Sequence, residues 1–244
     1  MKYGLQMYSV RDVTDKDLAG ALKKVAEMGY SYVEFAGFFG HEAAEVKAML
    51  DEYGLVCSGT HSGWEAAYND FDAAVAYHKT IGATRYIIPG ADIGTKEKLD
   101  NFIEKTNELV PKFAAEGIKL GYHNHSHEFL PTAEGIIIHD ELQARSKMDF
   151  EIDTFWAWNA GVDPIALVDK LKDRIEVVHL KDGIKGGEGK SVGLGDAPCK
   201  AVRNYCIENN ILMVVESEGL HPTGLEEAKR CIDFLKICDA DDGR

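Results

Sequence analysis

Four stretches of helical pattern in this chain stop at a glycine, and an apolar run follows each within two residues. The stops are Gly29, Gly54, Gly82 and Gly117, and the runs begin at Tyr30, Leu55, Thr84 and Ile118. Glycine ends a helix well because it adopts the left-handed conformation that turns the chain out of the last turn. A helix that stops in this way and re-enters an apolar run is half of a repeating strand–helix unit. Repetition of that unit implies a parallel sheet with helices outside it. Strands are expected over residues 2–9, 30–37, 55–62, 84–90, 118–125, 147–153, 175–181 and 211–218. Helices are expected over 14–29 with Thr14 as the N-cap, over 41–53, 65–81 and 96–116, and over 225–238. Residues 132–147 must supply both a loop and a helix. Eight strands in 244 residues suit the roughly 250 residues of one closed barrel. An open doubly wound sheet would carry a Gly-rich phosphate loop after its first strand, and here that place reads YSVRDVT. The expectation is an α/β chain forming a single (β/α)8 TIM barrel over 1–244.

Charge narrows the partners. With 41 Asp and Glu against 27 Lys and Arg, the net charge is −14. No cluster of basic residues is available to follow a phosphate backbone or an anionic membrane, so neither nucleic acid nor membrane is expected. No apolar run approaches the roughly 20 residues of a membrane span, and the first residues enter a strand without a signal-peptide stretch. The five cysteines, Cys57, Cys199, Cys206, Cys231 and Cys238, form no CxxC pair and read as reduced thiols. A cytoplasmic protein, monomeric or homodimeric, is expected.

Ionisable side chains sit at the ends of the later strands: His123, His125 and Glu128 in YHNHSHEF, Asp153 in DFEID, His179 and Lys181 in VVHLK, Glu216 and Glu218 in VVESE. Alternation along a strand puts His123 with His125, Glu151 with Asp153, His179 with Lys181, and Glu216 with Glu218 on one face each. In a parallel barrel the strand ends share the face where chemistry is done. Lys181 alone cannot neutralise Glu128, Asp153, Glu216 and Glu218, and a cation relieves their repulsion. Oxygen-rich ligation with imidazole favours Mn2+, Mg2+ or Co2+, with Zn2+ as an alternative.

Six motifs in order along almost the whole chain, GLQMYSVRD, GYHNHSHEF, DTFWAWNAGVDP, HLKDG, VGLGD and VVESEG, resemble those of the sugar phosphate isomerase/epimerase proteins. These belong to the xylose isomerase-like TIM barrel superfamily, which includes inosose dehydratases, ketose 3-epimerases and AP endonucleases. The resemblance implies one divalent metal held by residues from strands five to eight. Asp153, His179 and Glu216 match three of the positions. Where many members have Glu-Asn-His on strand five, this chain has His123-Asn124-His125. The expected fourth ligand is therefore Glu128 reaching back from the loop, with His123 as the alternative. Trp156 stands where epimerases often place a substrate-binding His.

The resemblance implies a metal-dependent isomerase or epimerase acting on a sugar, keto-sugar or cyclitol through an enediolate. A lyase in the same barrel, an inosose-type dehydratase or keto-glycoside eliminase, is the alternative. A non-catalytic sugar-binding barrel and an AP endonuclease rank below these. His123, His125, Lys181 and Glu218 are the candidates for moving protons. Gln6, Glu34, His61 and Trp156 are the candidates for contacting a small sugar or polyol. The Gly-rich connection KDGIKGGEGKSVGLGDAP after strand seven is long for a barrel loop, and a functional or a mobile segment at the active face is expected there.

Overall fold

The computed structural model describes residues 1–244, apart from the side chain of Glu176. Eight parallel strands close into a barrel: β1 Gly4–Gln6, β2 Tyr32–Phe35, β3 Val56–His61, β4 Arg85–Ile88, β5 Lys119–His123, β6 Asp149–Asp153, β7 Ile175–Leu180 and β8 Leu212–Val215. Each strand pairs with its neighbours in sequence, and β8 pairs with β1 to complete the ring. The expected fold is present. Strands such as LMVV and RYII are buried along most of their length, as parallel strands covered by helices must be. The four glycine stops have φ values of 101°, 67°, 76° and 75°, the left-handed turn read from the sequence.

Several boundaries differ, each for a local reason. The first strand ends at Gln6 rather than residue 9, because the Gln6 side chain accepts from the Tyr8 N–H at 3.1 Å and caps a 3-10 turn over Met7–Val10. The next long helix is Leu18–Met28, capped by Asp17, whose carboxylate accepts from Gly20 N–H at 2.8 Å. Thr14 instead ends a separate short helix, Arg11–Thr14, and is buried. The helix expected over 65–81 is two, Trp64–Asn69 and Phe71–Ile81, divided at Asp70, which caps the second. Residues 132–147 resolve into a loop and the helix Ile138–Arg145. All five cysteines are buried and free; Cys231 and Cys238 pack from the final helix, Gly224–Asp241.

Pairing is irregular at two points that bear on the site. Register shifts between Val33 and Glu34 where β2 meets β3, and between Phe150 and Glu151 where β6 meets β7. Such irregularities re-aim the side chain that follows. Among the described residues no helix is long and apolar enough to cross a membrane.

Candidate active site

The barrel mouth is built from strand register. Asp153 lies opposite His179, and His179 opposite Val214, so Glu216 projects two residues further on beside them. His123 lies opposite Glu151 on the other side of β6. One ligand atom each from His123, Asp153, His179 and Glu216 falls within 4.8 Å of the others. All four residues are buried. Beside them opens a cavity of about 470 Å³. It is lined by Tyr8, Ala36, Gly37, His61, Pro89, His123, His125, Glu216 and Glu218.

The donor atoms themselves test whether a cation fits. Neither ring nitrogen of His123 has a hydrogen-bond partner among the described residues, nor has Asp153 Oδ2, and all three are buried. Buried polar atoms are ordinarily paired, so unpartnered atoms on two residues of this cluster leave it open to a cation. Burial raises the Asp153 pKa to about 6 against the pull of Lys181, with the nearby Glu216 charge adding to the rise. Burial drives His123 well below the usual imidazole range, and the neighbouring His179 and His61 add to this. A neutral imidazole beside crowded carboxylates is a metal-ligating arrangement.

Asp153 is held in two ways. Its Oδ1 accepts from Trp156 N–H at 2.9 Å and so caps the helix Thr154–Asn159. Its backbone is clamped by the Asn124 amide, which accepts from Asp153 N–H at 3.1 Å and donates to Asp153 O at 3.2 Å. Asn124 thus extends the β5–β6 ladder beyond the last strand residue. Sequence parity had turned Asn124 away from the barrel mouth, and nothing marked it as a clamp.

Glu128, expected as the fourth ligand, is placed elsewhere. Its carboxylate accepts from Tyr122 Oη at 2.9 Å and from His125 N–H at 2.8 Å. It clusters with His125 and His127 rather than with Asp153, His179 and Glu216. Tyr122 points to the opposite side of β5 from His123, and its hydroxyl draws the loop carboxylate behind the strand. His123, the alternative, is the residue gathered with Asp153, His179 and Glu216.

Lys181 is fully buried, with Nζ 3.1 Å from Glu216 Oε2, 2.7 Å from Glu218 Oε2 and 3.9 Å from Asp153 Oδ2. Burial opposes its charge, yet Glu216, Asp153 and Glu218 together raise its pKa. Glu218 is the more open partner, with 30% of its side chain exposed. His125 also lines the cavity, and burial lowers its pKa to about 4, so it is neutral near pH 7. Trp156 lies under the Lys181 ammonium rather than in the cavity lining described above.

Of the expected sugar-reading groups, His61 reaches the cavity. Gln6 and Glu34 do not: both are fully buried, joined by a hydrogen bond of 2.8 Å from Gln6 Nε2 to Glu34 Oε2. Glu34 Oε2 also lies 2.6 Å from His179 Nε2. Glu151, passed over as a site residue, joins the same group, with Oε1 2.7 Å from His61 Nε2 and 2.9 Å from His179 Nε2. The available signal was its parity with Asp153. Burial lowers the His179 pKa, but Glu151 and Glu34 outweigh it and hold the ring well above the usual range.

The Gly-rich connection after β7 is folded onto Asp182. This buried carboxylate accepts from the backbone N–H groups of Gly183 and Gly193 at 2.8 Å and of Gly195 and Ala197 at 3.1 Å. A Cβ at Gly195 would stand 2.2 Å from Asp182 Oδ1, so the close approach requires glycine there.

Known proteins share this frame. The inosose dehydratase of Geobacillus kaustophilus (strain HTA426) is 25% identical over 186 residues, 66% of this chain and 60% of that protein. The rhizopine catabolism protein MocC of Rhizobium meliloti is 25% identical over 209 residues, 75% of this chain and 62% of that protein. The chain therefore spans about three-fifths of the length of these curated relatives. The crystal structure of a sugar phosphate isomerase/epimerase from Parabacteroides distasonis ATCC 8503 superposes with a TM-score of 0.84 at 27% identity. That match covers 96% of this chain and 97% of the other. The family model described as xylose isomerase-like TIM barrel matches residues 22–238. With the closed eight-stranded barrel and a site at its strand ends, this chain belongs to the xylose isomerase-like TIM barrel family.

Proposed function

We propose that this chain is a divalent-metal-dependent isomerase or epimerase of a sugar, keto-sugar or cyclitol. The observation that carries the reading is the convergence of His123, Asp153, His179 and Glu216, with orphaned donor atoms, at the wall of a cavity of about 470 Å³. These four residues would hold Mn2+, Mg2+ or Co2+, with Zn2+ as the alternative. The ion would supply Lewis-acid polarisation of a substrate carbonyl. The chain's own groups do the rest. Glu218, partly exposed at the cavity, is placed to take a proton from the carbon next to that carbonyl and to return it. The Lys181 ammonium at 2.7 Å holds Glu218 in position. His125, neutral and also lining the cavity, is placed to exchange a second proton. A positioned acid or base of this kind contributes typically about 10²–10⁴-fold. Tyr8 and Pro89 also line the cavity.

Elimination is the second reading, favoured by the relative named inosose dehydratase and by the ammonium of Lys181 standing beside the Glu218 carboxylate. Incubation of metal-loaded protein with a panel of ketoses, ketose phosphates and inososes in D2O, followed by NMR, tests both. Isomerisation or epimerisation gives a product of unchanged composition with deuterium at the reacting carbon. Elimination gives loss of water or of an aglycone. Absence of any exchange across the panel, with sugar binding retained in metal-free protein, would replace both with a non-catalytic binding barrel.

A further inference from the structure

Beneath the level of Asp153 and Glu216, two imidazoles and two carboxylates form a closed ring. His179 Nε2 lies 2.6 Å from Glu34 Oε2 and 2.9 Å from Glu151 Oε1. His61 Nε2 lies 2.7 Å from the same Glu151 oxygen and 3.3 Å from the same Glu34 oxygen. The two rings stack with centroids 5.2 Å apart and planes 16° from parallel. Glu34, Glu151 and His179 have no solvent exposure, and Gln6 on β1 braces Glu34 from behind. The two register shifts of the barrel fall immediately before Glu34 and Glu151, and so aim both side chains at this point.

An ionised carboxylate only accepts hydrogen bonds. Two carboxylate oxygens converging on His179 Nε2 therefore require a proton on that nitrogen. The other nitrogen, Nδ1, faces Glu216 Oε2 at 3.4 Å, and Glu216 is gathered with His123 and Asp153. A cation can compete for Nδ1 but not for Nε2. We infer that Glu34 and Glu151 are paired positioning residues for the metal seat, fixing His179 as the Nε2–H tautomer with Nδ1 turned to the ion. The inference rests on the metal-dependent reading above and adds to it the device that orients one ligand.

Through Glu34 Oε2 and Glu151 Oε1 the inner ring acts as a hydrogen-bonded brace, while Glu34 Oε1 and Glu151 Oε2 have no hydrogen-bond partner among the described residues. Its four nitrogen–oxygen separations, 2.6 to 3.3 Å, lie around the N–H···O range. Tetrahedral ligands about 2.0–2.2 Å from an ion would stand roughly 3.3–3.6 Å apart. Four strands, β1, β2, β3 and β6, thus immobilise one imidazole on β7. Outer partners of this kind fix the ring and raise its basicity, and their loss weakens metal affinity about 10–100-fold.

The test is calorimetric titration of chelator-stripped full chain with Mn2+. The expected result is one Mn2+ per wild-type chain, with affinity weakened about 10–100-fold in Glu34→Gln and in Glu151→Gln. In a His179→Ala background, Glu151→Gln should cause no further loss, because the carboxylate acts through that ring; a merely structural role would still lower affinity there. If Glu151→Gln does not fold, Glu34→Gln and Gln6→Leu, one step further out, carry the test, the latter with a smaller loss. Unchanged affinity in the folded variants, or two ions in wild type falling to one in Glu151→Gln, overturns the positioning role while leaving a metal enzyme. No binding of Mn2+, Mg2+, Co2+ or Zn2+ by wild type removes the metal reading itself, and the inference with it.

Discussion

Lys181 holds its ammonium 4.4 Å from the centre of the Trp156 ring, sealed from solvent. The indole face supplies one side of the cation's environment and the carboxylates of Glu216, Glu218 and Asp153 supply the other. The carboxylates at the barrel mouth thus share one buried lysine as a cationic partner, beside the His179 ring.

Replacement of that lysine exposes the balance. Lys181→Met leaves Glu216 and Asp153 buried without their cation, and removing one partner of a buried pair costs about 3–5 kcal/mol. Urea unfolding of metal-free protein should show a loss of that order. Saturating Mn2+ should restore more stability to Lys181→Met than it adds to wild type. An equal increment in both proteins would mean that the ion does not share the lysine's carboxylates.

A bound cation should stabilise the fold by mass action. At 100 times the dissociation constant the gain is about 2.7 kcal/mol, visible as a rise in Tm when Mn2+ is added to chelated protein. Asp153→Asn keeps the oxygen that caps the helix at Trp156 but removes the charge. Its apo Tm should lie near that of wild type, and most of the Mn2+-induced rise should disappear. A full rise in Asp153→Asn would exclude Asp153 as a ligand.

Asp182→Asn should loosen the Gly-rich connection without unfolding the barrel. An amide offers one accepting oxygen where four backbone N–H groups now converge on two, and stranded buried donors cost about 1–3 kcal/mol. Hydrogen exchange over residues 183–197 should quicken, while exchange in β5–β8 stays slow. Unchanged protection over 183–197 would show that the loop is held by other contacts.

His139 gives the fold an acid-sensitive point outside the cluster of His123, Asp153, His179 and Glu216. It is fully buried, stacked on Phe129 with centroids 4.4 Å apart and within 2.7 Å of Gln143 Nε2. Burial lowers its pKa to about 3, with Lys170 and Arg174 adding to the effect. The unfolded chain therefore binds this proton below about 6.5 while the folded chain does not. Stability contributed by neutral His139 is complete above the unfolded value and falls as pH drops toward 3, by at most about 1.4 kcal/mol per unit. His139→Gln should flatten the slope of unfolding free energy between pH 6 and 4. Parallel slopes in the two proteins would rule this residue out as the cause.

Much of this molecule follows from local patterning. Glycine stops followed by apolar runs define a strand–helix repeat because both signals act over a few residues, whatever lies around them. Two-residue alternation likewise places Asp153, His179 and Glu216 on inward faces once the strands are recognised, and adjacency in a parallel barrel brings them together. Patterning could not choose between Glu128 and His123, or separate a cavity-lining group from a buried one. Those outcomes depend on where distant atoms lie. The Tyr122 hydroxyl captures Glu128 behind β5, and two register shifts turn Glu34 and Glu151 inward onto His179. A carboxylate takes the nearest donors that closure of the barrel offers, and those donors come from strands far apart in the chain.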